Sequence, residues 1–129
     1  MLGFAAMQLD SAAPAQTPVD LIHLRRFTMG DPELEQEILE LFADNAPKTL
    51  ASLAEATTPK EWLAAAHSLK GSARAVGAHA VADLAAAAEK TYPEQELARQ
   101  HQLAAVHAAI EAARDYIAQL REPFASSQA

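Results

Sequence analysis

The clearest periodic pattern of apolar residues runs from Trp62 to Ala78, WLAAAHSLKGSARAVGA. At about 100° per residue, its apolar side chains fall on one side of a helix, the side that a helix turns toward a core. These residues are Trp62, Ala65, Ala66, Leu69, Ala73 and Val76. Thr58-Pro59-Lys60-Glu61 reads as a capping box with proline at the first helical position, and Gly77 stands where a left-handed C-terminal residue belongs. The pattern therefore predicts one helix with a fixed start and phase.

The opposite side of this helix centres on a histidine, His67. Its other members are Lys60, Leu63, Ala64, Lys70, Gly71 and Arg74. A glycine inside a helix costs about 1 kcal/mol relative to alanine, so Gly71 needs a reason. It lies one turn after His67, and Ala64 lies one turn before it, so small residues leave the imidazole uncovered. We interpret Gly71 as clearance over His67.

Two helices are predicted before this one. Thr17 is the predicted N-cap of a short first helix, with Pro18 at its first position and Gly30 at its end. Its inward residues are Leu21, Leu24 and Phe27. Asp31-Pro32 opens the second helix, whose predicted inward residues are Leu34, Ile38, Leu41, Phe42, Leu50 and Leu53. Pro47 falls inside this pattern, so we expect a kink near Ala43 or Asn45; two helices split at Pro47 are the alternative.

Two further helices follow Gly77. The fourth is predicted from about Ala78 to Thr91 and is ended by Tyr92-Pro93; its inward residues are Val81, Leu84, Ala85 and Ala88. The last is predicted from about Glu94 to Leu120 and is ended by Pro123. Its inward residues are Leu103, Val106, Ile110, Ala113, Ile117 and Leu120, the spacing of a bundle helix.

These elements predict an all-α protein: an antiparallel four-helix bundle with a short additional N-terminal helix packed across one end. The expected boundaries are a flexible leader over residues 1–16, the bundle over 17–122 and a frayed tail over 123–129. Half of the 129 residues are hydrophobic, yet only 5% are aromatic, so the helices pack closely through alanine. One domain and a monomer are expected.

Charge and composition exclude several classes of function. The formal net charge of -7 disfavours nucleic acid as a partner, because phosphate binding needs a broad basic surface. The absence of cysteine excludes disulfides and thiolate metal sites. No apolar run approaches the ~18 residues of a membrane span, and the first ten residues lack the basic start of a signal peptide, so we expect a cytoplasmic protein.

No metal site and no cofactor are predicted. From His101 to His107 the helix turns by about 240° beyond one full turn, so the two side chains diverge and cannot chelate together. These two histidines, with His23 and His79, are interpreted as solvated surface residues. His67 differs because three cations surround it. An exposed neutral imidazole is a good nucleophile near pH 7, and His67 has no triad or phosphate loop that would make it part of a hydrolase.

A lone nucleophile beside positive charge suits accepting and holding a phosphoryl group. Lys70, one turn from His67 on the same face, can reach the phosphoryl oxygens. Lys60 and Arg74 are expected to attract an acidic partner at longer range. Leu63, apolar on an exposed face, is interpreted as a docking contact.

The stretch His67-Ser68-Leu69-Lys70-Gly71-Ser72-Ala73, followed by Gly77-Ala78, resembles the signature of the histidine-containing phosphotransfer (HPt) domains. The resemblance implies a phosphorelay intermediary that accepts a phosphoryl group on His67 from the aspartyl phosphate of a receiver domain. The receiver would supply Mg²⁺ and most of the catalysis, so the chain itself would be no enzyme. The family often places Glu or Gln near the imidazole, and Glu89 matches that position.

Receiver domains of response regulators or hybrid kinases are the expected partners. The predicted contact residues are Lys60, Leu63, Ala64, Ser68, Gly71 and Arg74. The alternative function is a non-catalytic helical adaptor, which docks such domains through the His67 face without being phosphorylated.

Overall fold

The computed structural model describes residues 17–128, with side chains described as far as Arg121, so the predicted leader over 1–16 lies outside the described residues. Residues 17–128 form five α-helices and contain no strand. The helices are α1 Leu21–Thr28, α2 Pro32–Glu55, α3 Pro59–Val76, α4 His79–Lys90 and α5 Glu96–Gln128. Within this part of the chain, no helix combines the length and the apolar character needed to cross a bilayer.

Helices α2, α3, α4 and α5 form a ring of contacts, in which each helix packs against two of the others. α2 contacts α3 and α5, α4 contacts the same two helices, and α1 lies against α2 and α3. Arg99 at the start of α5 bonds the carbonyl of Ala54 at the end of α2, while Arg121 pairs with Glu40 near the start of α2. These two helices therefore run in opposite directions. The all-helical fold is confirmed, and the complete antiparallel bundle with α1 across one end stays a prediction.

α3 begins and ends as its sequence predicts. The Thr58 hydroxyl accepts a hydrogen bond from the Glu61 amide at 3.1 Å, and the Glu61 carboxylate accepts one from the Thr57 amide at 2.8 Å. At the other end, Gly77 adopts a left-handed φ of 82° and its amide closes onto the carbonyls of the last turn. The predicted inward residues are buried except Ala65, which is half-buried. The phase that places His67 on the outer face is thus confirmed.

The predicted start of α1 is wrong. The helix begins at Leu21, and its N-cap is Asp20, whose carboxylate accepts from the His23 amide. Thr17 and Pro18 lie before the helix in a bend. Asp20, and not Thr17, caps the helix because its carboxylate also accepts a hydrogen bond from His79 at 3.0 Å. This is a tertiary contact that the local sequence pattern does not contain.

The interpretation of His23 and His79 as solvated residues is also wrong. His23 Nε2 donates to the carbonyl of Arg74 at 2.8 Å, and the two imidazole rings lie 5.7 Å apart. The hydrogen bond from His79 is the main reason why the pKa of Asp20 lies below its usual value. These contacts fasten α1 to the turn between α3 and α4. His101 and His107 are exposed, as predicted.

α2 is one unbroken helix through Pro47, so the alternative of two helices is wrong. Its buried residues are Leu39, Phe42, Ala46 and Leu53. Leu34 and Leu41 are 39% and 57% exposed, which contradicts their predicted inward position. At about 100° per residue, Leu34 and Leu41 lie about 110° and 130° from the centre of the stripe formed by these four buried residues. The sequence pattern does not single out Ala46 in that stripe, because leucine dominates a hydrophobicity pattern.

Three smaller predictions fail at the edges of the core. Phe27 is 66% exposed, and Thr28 is buried in its place. Leu120 is 39% exposed. α5 continues through Pro123 to Gln128, so the prediction that Pro123 ends it is wrong. Proline removes one hydrogen bond and disfavours a helix interior, but its φ is helical, and helical backbone can continue beyond it, as it does at Pro47.

Gly77 and Gly30 provide a matched test of the turn between α3 and α4. Both have φ of +82°, but a Cβ on Gly77 would stand 2.7 Å from the carbonyl oxygen of Asp20, whereas a Cβ on Gly30 would meet nothing within 4 Å. Gly30→Ala should cost about 1–2 kcal/mol of unfolding free energy, the strain of a left-handed residue. Gly77→Ala should cost more, because Asp20 must also move. Urea unfolding of both variants measures the difference, and equal losses would contradict the close packing of Asp20 on this turn.

Candidate functional site

The site lies where the middle of α3 faces the last turn of α4. His67 and Lys70 are one turn apart on α3, and Glu89 is the residue before the last of α4. The two helices are joined by a short turn at Gly77 and pack through small residues, including Ala66, Ala73, Ala85 and Ala88, all essentially buried. The side chains on their outer edges therefore come within hydrogen-bond distance.

The imidazole of His67 is exposed but held at one nitrogen. Its side chain is 74% exposed, and Nδ1 lies 3.0 Å from Oε1 of Glu89. A carboxylate only accepts hydrogen bonds, so Nδ1 carries the proton and Nε2 keeps its lone pair. Among the described residues, Nε2 has no hydrogen-bond partner. The ring therefore presents a free nucleophilic nitrogen on the outside of the bundle.

Glu89 is shared between two nitrogens. Its second oxygen accepts a hydrogen bond from Nζ of Lys70 at 2.8 Å, and both side chains are only 18% exposed. The hydrogen bond from Lys70 lowers the pKa of Glu89, partial burial opposes this effect, and the hydrogen bond with His67 lowers it further. Glu89 is therefore a carboxylate at neutral pH, which makes it the acceptor that the His67 tautomer needs.

Lys70 differs from its predicted setting. The sequence places it on the exposed face, free to reach a phosphoryl group, but its side chain is largely covered and paired with Glu89. The reason is tertiary, because α4 brings a carboxylate onto the edge of α3. The approach of Glu89 to His67 agrees with the position that the family resemblance suggested. The hydrogen bond between Glu89 and Lys70 is a tertiary contact that the sequence pattern does not contain, although Lys70 and Glu89 are each separately expected near His67.

The remaining predicted contact residues form one surface around the imidazole. They are Lys60, Leu63, Ala64, Ser68, Gly71 and Arg74, and all are exposed. Leu63 exposes 48% of its surface. A Cβ on Gly71 would meet nothing within 4 Å, so the protein's own packing does not require glycine there. This observation fits the interpretation of Gly71 as clearance for a partner.

A groove lined by both polar and apolar groups borders this surface between α2 and α3. Ala64 and Ser68 belong to both the groove and the surface around His67. The groove is lined further by Asn45, Lys48, Thr49, Ser52 and Ser72. Apart from Glu61 at the start of α3, the α3 wall of the groove consists of alanine and serine side chains, so the backbone of α3 can be approached closely from this side. The described residues contain no group of three or more histidine and carboxylate side chains arranged to hold a metal ion.

The fold and the site together define a helical bundle that presents one exposed, oriented imidazole beside a carboxylate and an ammonium group. Residues 37–123 of the chain match the family model described as the Hpt domain. The match covers more than half of the chain, so the chain belongs to the Hpt domain family. Its domain therefore takes part in phosphorelay phosphotransfer, as a phosphocarrier and not as a catalyst. Comparisons with curated proteins and with solved structures gave no match.

One residue beside the site has a role that periodicity does not reveal. Periodicity predicts Trp62 only as part of the core, and Trp62 is buried. Its indole Nε1 also donates a hydrogen bond of 2.8 Å to the carbonyl of Ala88, the neighbour of Glu89. The sequence could have indicated such a bond only through chemistry, because the N–H of a buried tryptophan usually has a hydrogen-bond partner.

The pairing of Lys70 with Glu89 predicts a measurable titration. The pKa of Glu89 should lie below the ordinary value of 4.5 and should rise in Lys70→Met, because the main cause of the shift is removed. A carboxyl group with a lowered pKa stabilises the fold above its unfolded pKa, and this contribution is lost as the pH falls through the folded pKa. The ¹³C shift of the Glu89 carboxyl carbon, followed against pH, measures this pKa in the wild type and in Lys70→Met. Lys60→Met, an exposed lysine, is the control, and an unchanged pKa in Lys70→Met would contradict the assignment.

Proposed function

We propose that His67 accepts a phosphoryl group on Nε2 from the aspartyl phosphate of a receiver domain and passes it to a second receiver domain. The observation that carries this proposal is the geometry of His67, whose Nδ1 is held by Glu89 at 3.0 Å while the imidazole remains 74% exposed. Response regulators and hybrid histidine kinases carry the receivers in this proposal. A cytoplasmic location and a monomeric, antiparallel four-helix bundle complete it.

The proposed step exchanges one bond to phosphorus for another. The Nε2 lone pair of His67 attacks the phosphorus in line, the bond from phosphorus to the aspartyl oxygen breaks, and the receiver's carboxylate leaves with the electron pair. As the new bond forms, positive charge develops on the imidazole. The Glu89 carboxylate faces this charge through the proton on Nδ1 and stabilises it. Delivery to the second receiver is the same step in reverse.

Lys70 has a second role in this proposal. An ammonium group can donate three hydrogen bonds, and Lys70 donates one of them to Glu89. The others can be donated to the oxygens of a phosphoryl group on the neighbouring His67. Lys70 thus balances the charge of Glu89 before transfer and that of the phosphoryl group afterwards. The receiver brings Mg²⁺ and most of the catalytic groups, so the chain acts once per phosphoryl group.

The exposed residues around His67 form the proposed receiver-docking surface. Leu63 supplies its exposed apolar contact, and Ala64, Ser68 and Gly71 keep the approach to the imidazole open. Lys60 and Arg74 place positive charge on this face of a protein with a net charge of -7. A receiver has an acidic phosphorylation site, so these two cations favour its approach.

Replacement of the proposed nucleophile should abolish labelling without loss of stability. His67→Gln should take no phosphate from a phosphorylated receiver, because the amide side chain has no nucleophilic nitrogen. Its unfolding free energy should change by no more than about 0.5 kcal/mol, since the side chain lies outside the core. Labelling with ³²P followed by acid and base treatment measures acceptance, since phosphohistidine is acid-labile and base-stable.

His107→Gln, which changes an exposed histidine on α5, is the matched control and should label as the wild type does. Label on His67→Gln at the wild-type rate would disprove the site. A wild-type protein that binds receivers but never carries acid-labile label would instead support the adaptor alternative.

Gly71 allows a second test through two substitutions at one position. Gly71→Ala adds a methyl group into open space and should raise stability by about 1 kcal/mol while leaving transfer nearly unchanged. Gly71→Leu should also fold, but its side chain should obstruct docking and slow transfer at limiting receiver by about tenfold or more, about 1.4 kcal/mol. Rapid-mix kinetics with a phosphorylated receiver measure both. Equal rates for the two variants would contradict the clearance role.

A further inference from the structure

We propose that Trp62 is a positioning residue for the phosphotransfer site. Its indole N–H holds the last turn of α4 in place, and that turn carries the Glu89 carboxylate which orients His67. The inference rests on the proposed function for its effect on phosphotransfer. Its structural part, the control of the His67 tautomer by Trp62, can be tested without any partner.

The last turn of α4 needs an external partner. A helix leaves its final carbonyls without amide donors from its own turns. In α3 the neighbouring backbone supplies a donor, because the amide of Gly77 donates to the carbonyls of Ala73 and Arg74. α4 instead ends at Thr91 in extended backbone, without a left-handed residue. The carbonyl of Ala88 is one of these orphan groups, and the indole N–H of Trp62 is the donor that satisfies it, at 2.8 Å.

Trp62 is itself fixed from three sides. Its side chain is 1% exposed and packs in a small apolar cluster with Leu53 and Ala88. The guanidinium group of Arg99 lies 5.1 Å above its ring, and the Tyr92 ring meets it edge-on at 6.0 Å. Arg99 is anchored in turn on the carbonyls at the end of α2. The indole N–H is therefore a rigid reference point for the end of α4.

The hydrogen bond of Trp62 lies next to the residues of the candidate site. Ala88, whose carbonyl is held, is bonded directly to Glu89, whose carboxylate reaches His67 and Lys70. Helix ends open readily, and an open last turn would move Glu89 away from the imidazole. A phenylalanine could fill much of the space of Trp62 but could not bond the carbonyl. The N–H is thus the part of this side chain that core packing does not require.

The test removes the N–H and keeps an aromatic ring. In Trp62→Phe, ¹⁵N NMR of the imidazole should show a smaller fraction of the Nδ1–H tautomer of His67. The backbone amides of the last turn of α4 should exchange faster with solvent. Labelling by potassium phosphoramidate should slow by roughly three- to tenfold, the effect of one lost neutral hydrogen bond. In that reaction His67 Nε2 attacks phosphorus, the P–N bond of phosphoramidate breaks and ammonia leaves.

Leu53→Ala is the matched control, because it removes apolar volume from the same cluster and leaves the hydrogen bond of Trp62 in place. It should lower the melting temperature and keep the wild-type tautomer. If Leu53→Ala shifts the tautomer as much as Trp62→Phe does, general loosening explains the effect and the proposal is wrong. An unchanged tautomer in Trp62→Phe would also overturn it.

The wild-type protein offers a measurement that survives misfolding of any variant. The chain has one tryptophan, so its indole N–H gives a single resonance. Slow solvent exchange of this proton is expected, and fast exchange would overturn the proposal. Failure of the proposed function looks different: neither phosphoramidate nor a receiver would then label the wild type, while the tautomer and exchange measurements would still decide the role of Trp62.

Discussion

The close contact between α3 and α4 determines every distance in the site. Glu89 hydrogen-bonds with both His67 and Lys70 from the neighbouring helix, which requires the two helices to approach closely. Alanine makes this possible, since the buried residues between them include Ala66, Ala73, Ala85 and Ala88. The turn at Gly77 keeps the helices adjacent, and the amide of Asp20 is bonded to the carbonyl of Gly77 at 2.9 Å. The alanine-rich composition is thus a condition for the chemistry as well as for the fold.

The charge arrangement follows from this geometry. A carboxylate that is mostly covered by protein is costly unless it is paired, and Lys70 provides the pair. Because Lys70 keeps Glu89 ionised, Glu89 can keep the proton on Nδ1 of His67 and leave Nε2 available. The imidazole itself is left in water, where a large partner can reach it. The half-buried pair of Lys70 and Glu89 therefore orients the site, and the exposed ring is the nucleophile in the proposed transfer.

The parts of the protein that depend on local sequence could be predicted. The ends of α3 are determined by Thr58, Glu61 and Gly77. From these ends and the apolar pattern, the sequence correctly predicts His67 on the outer face and Trp62 in the core. The errors involve contacts between distant residues. Asp20 caps α1 partly because His79, on α4, bonds to it, and Lys70 is covered because Glu89 arrives from another helix. The burial of Ala46 in place of Leu41 has a related cause, because hydrophobicity ranks side chains but does not show which face has a neighbour.

The same geometry explains why such a site would hold a phosphoryl group and not hydrolyse it. Hydrolysis needs a base that activates water beside the phosphorus. The nearby carboxylate is Glu89, and each of its oxygens already accepts a hydrogen bond, one from His67 and one from Lys70. Its charge is further committed to the proton on Nδ1, which must stay in place while Nε2 bears the phosphoryl group. The same two hydrogen bonds lower the pKa of Glu89 and so make it a weaker base for activating a water molecule near Nε2. The group would remain on His67 until a receiver brings its own aspartate, which is the property that a phosphocarrier needs.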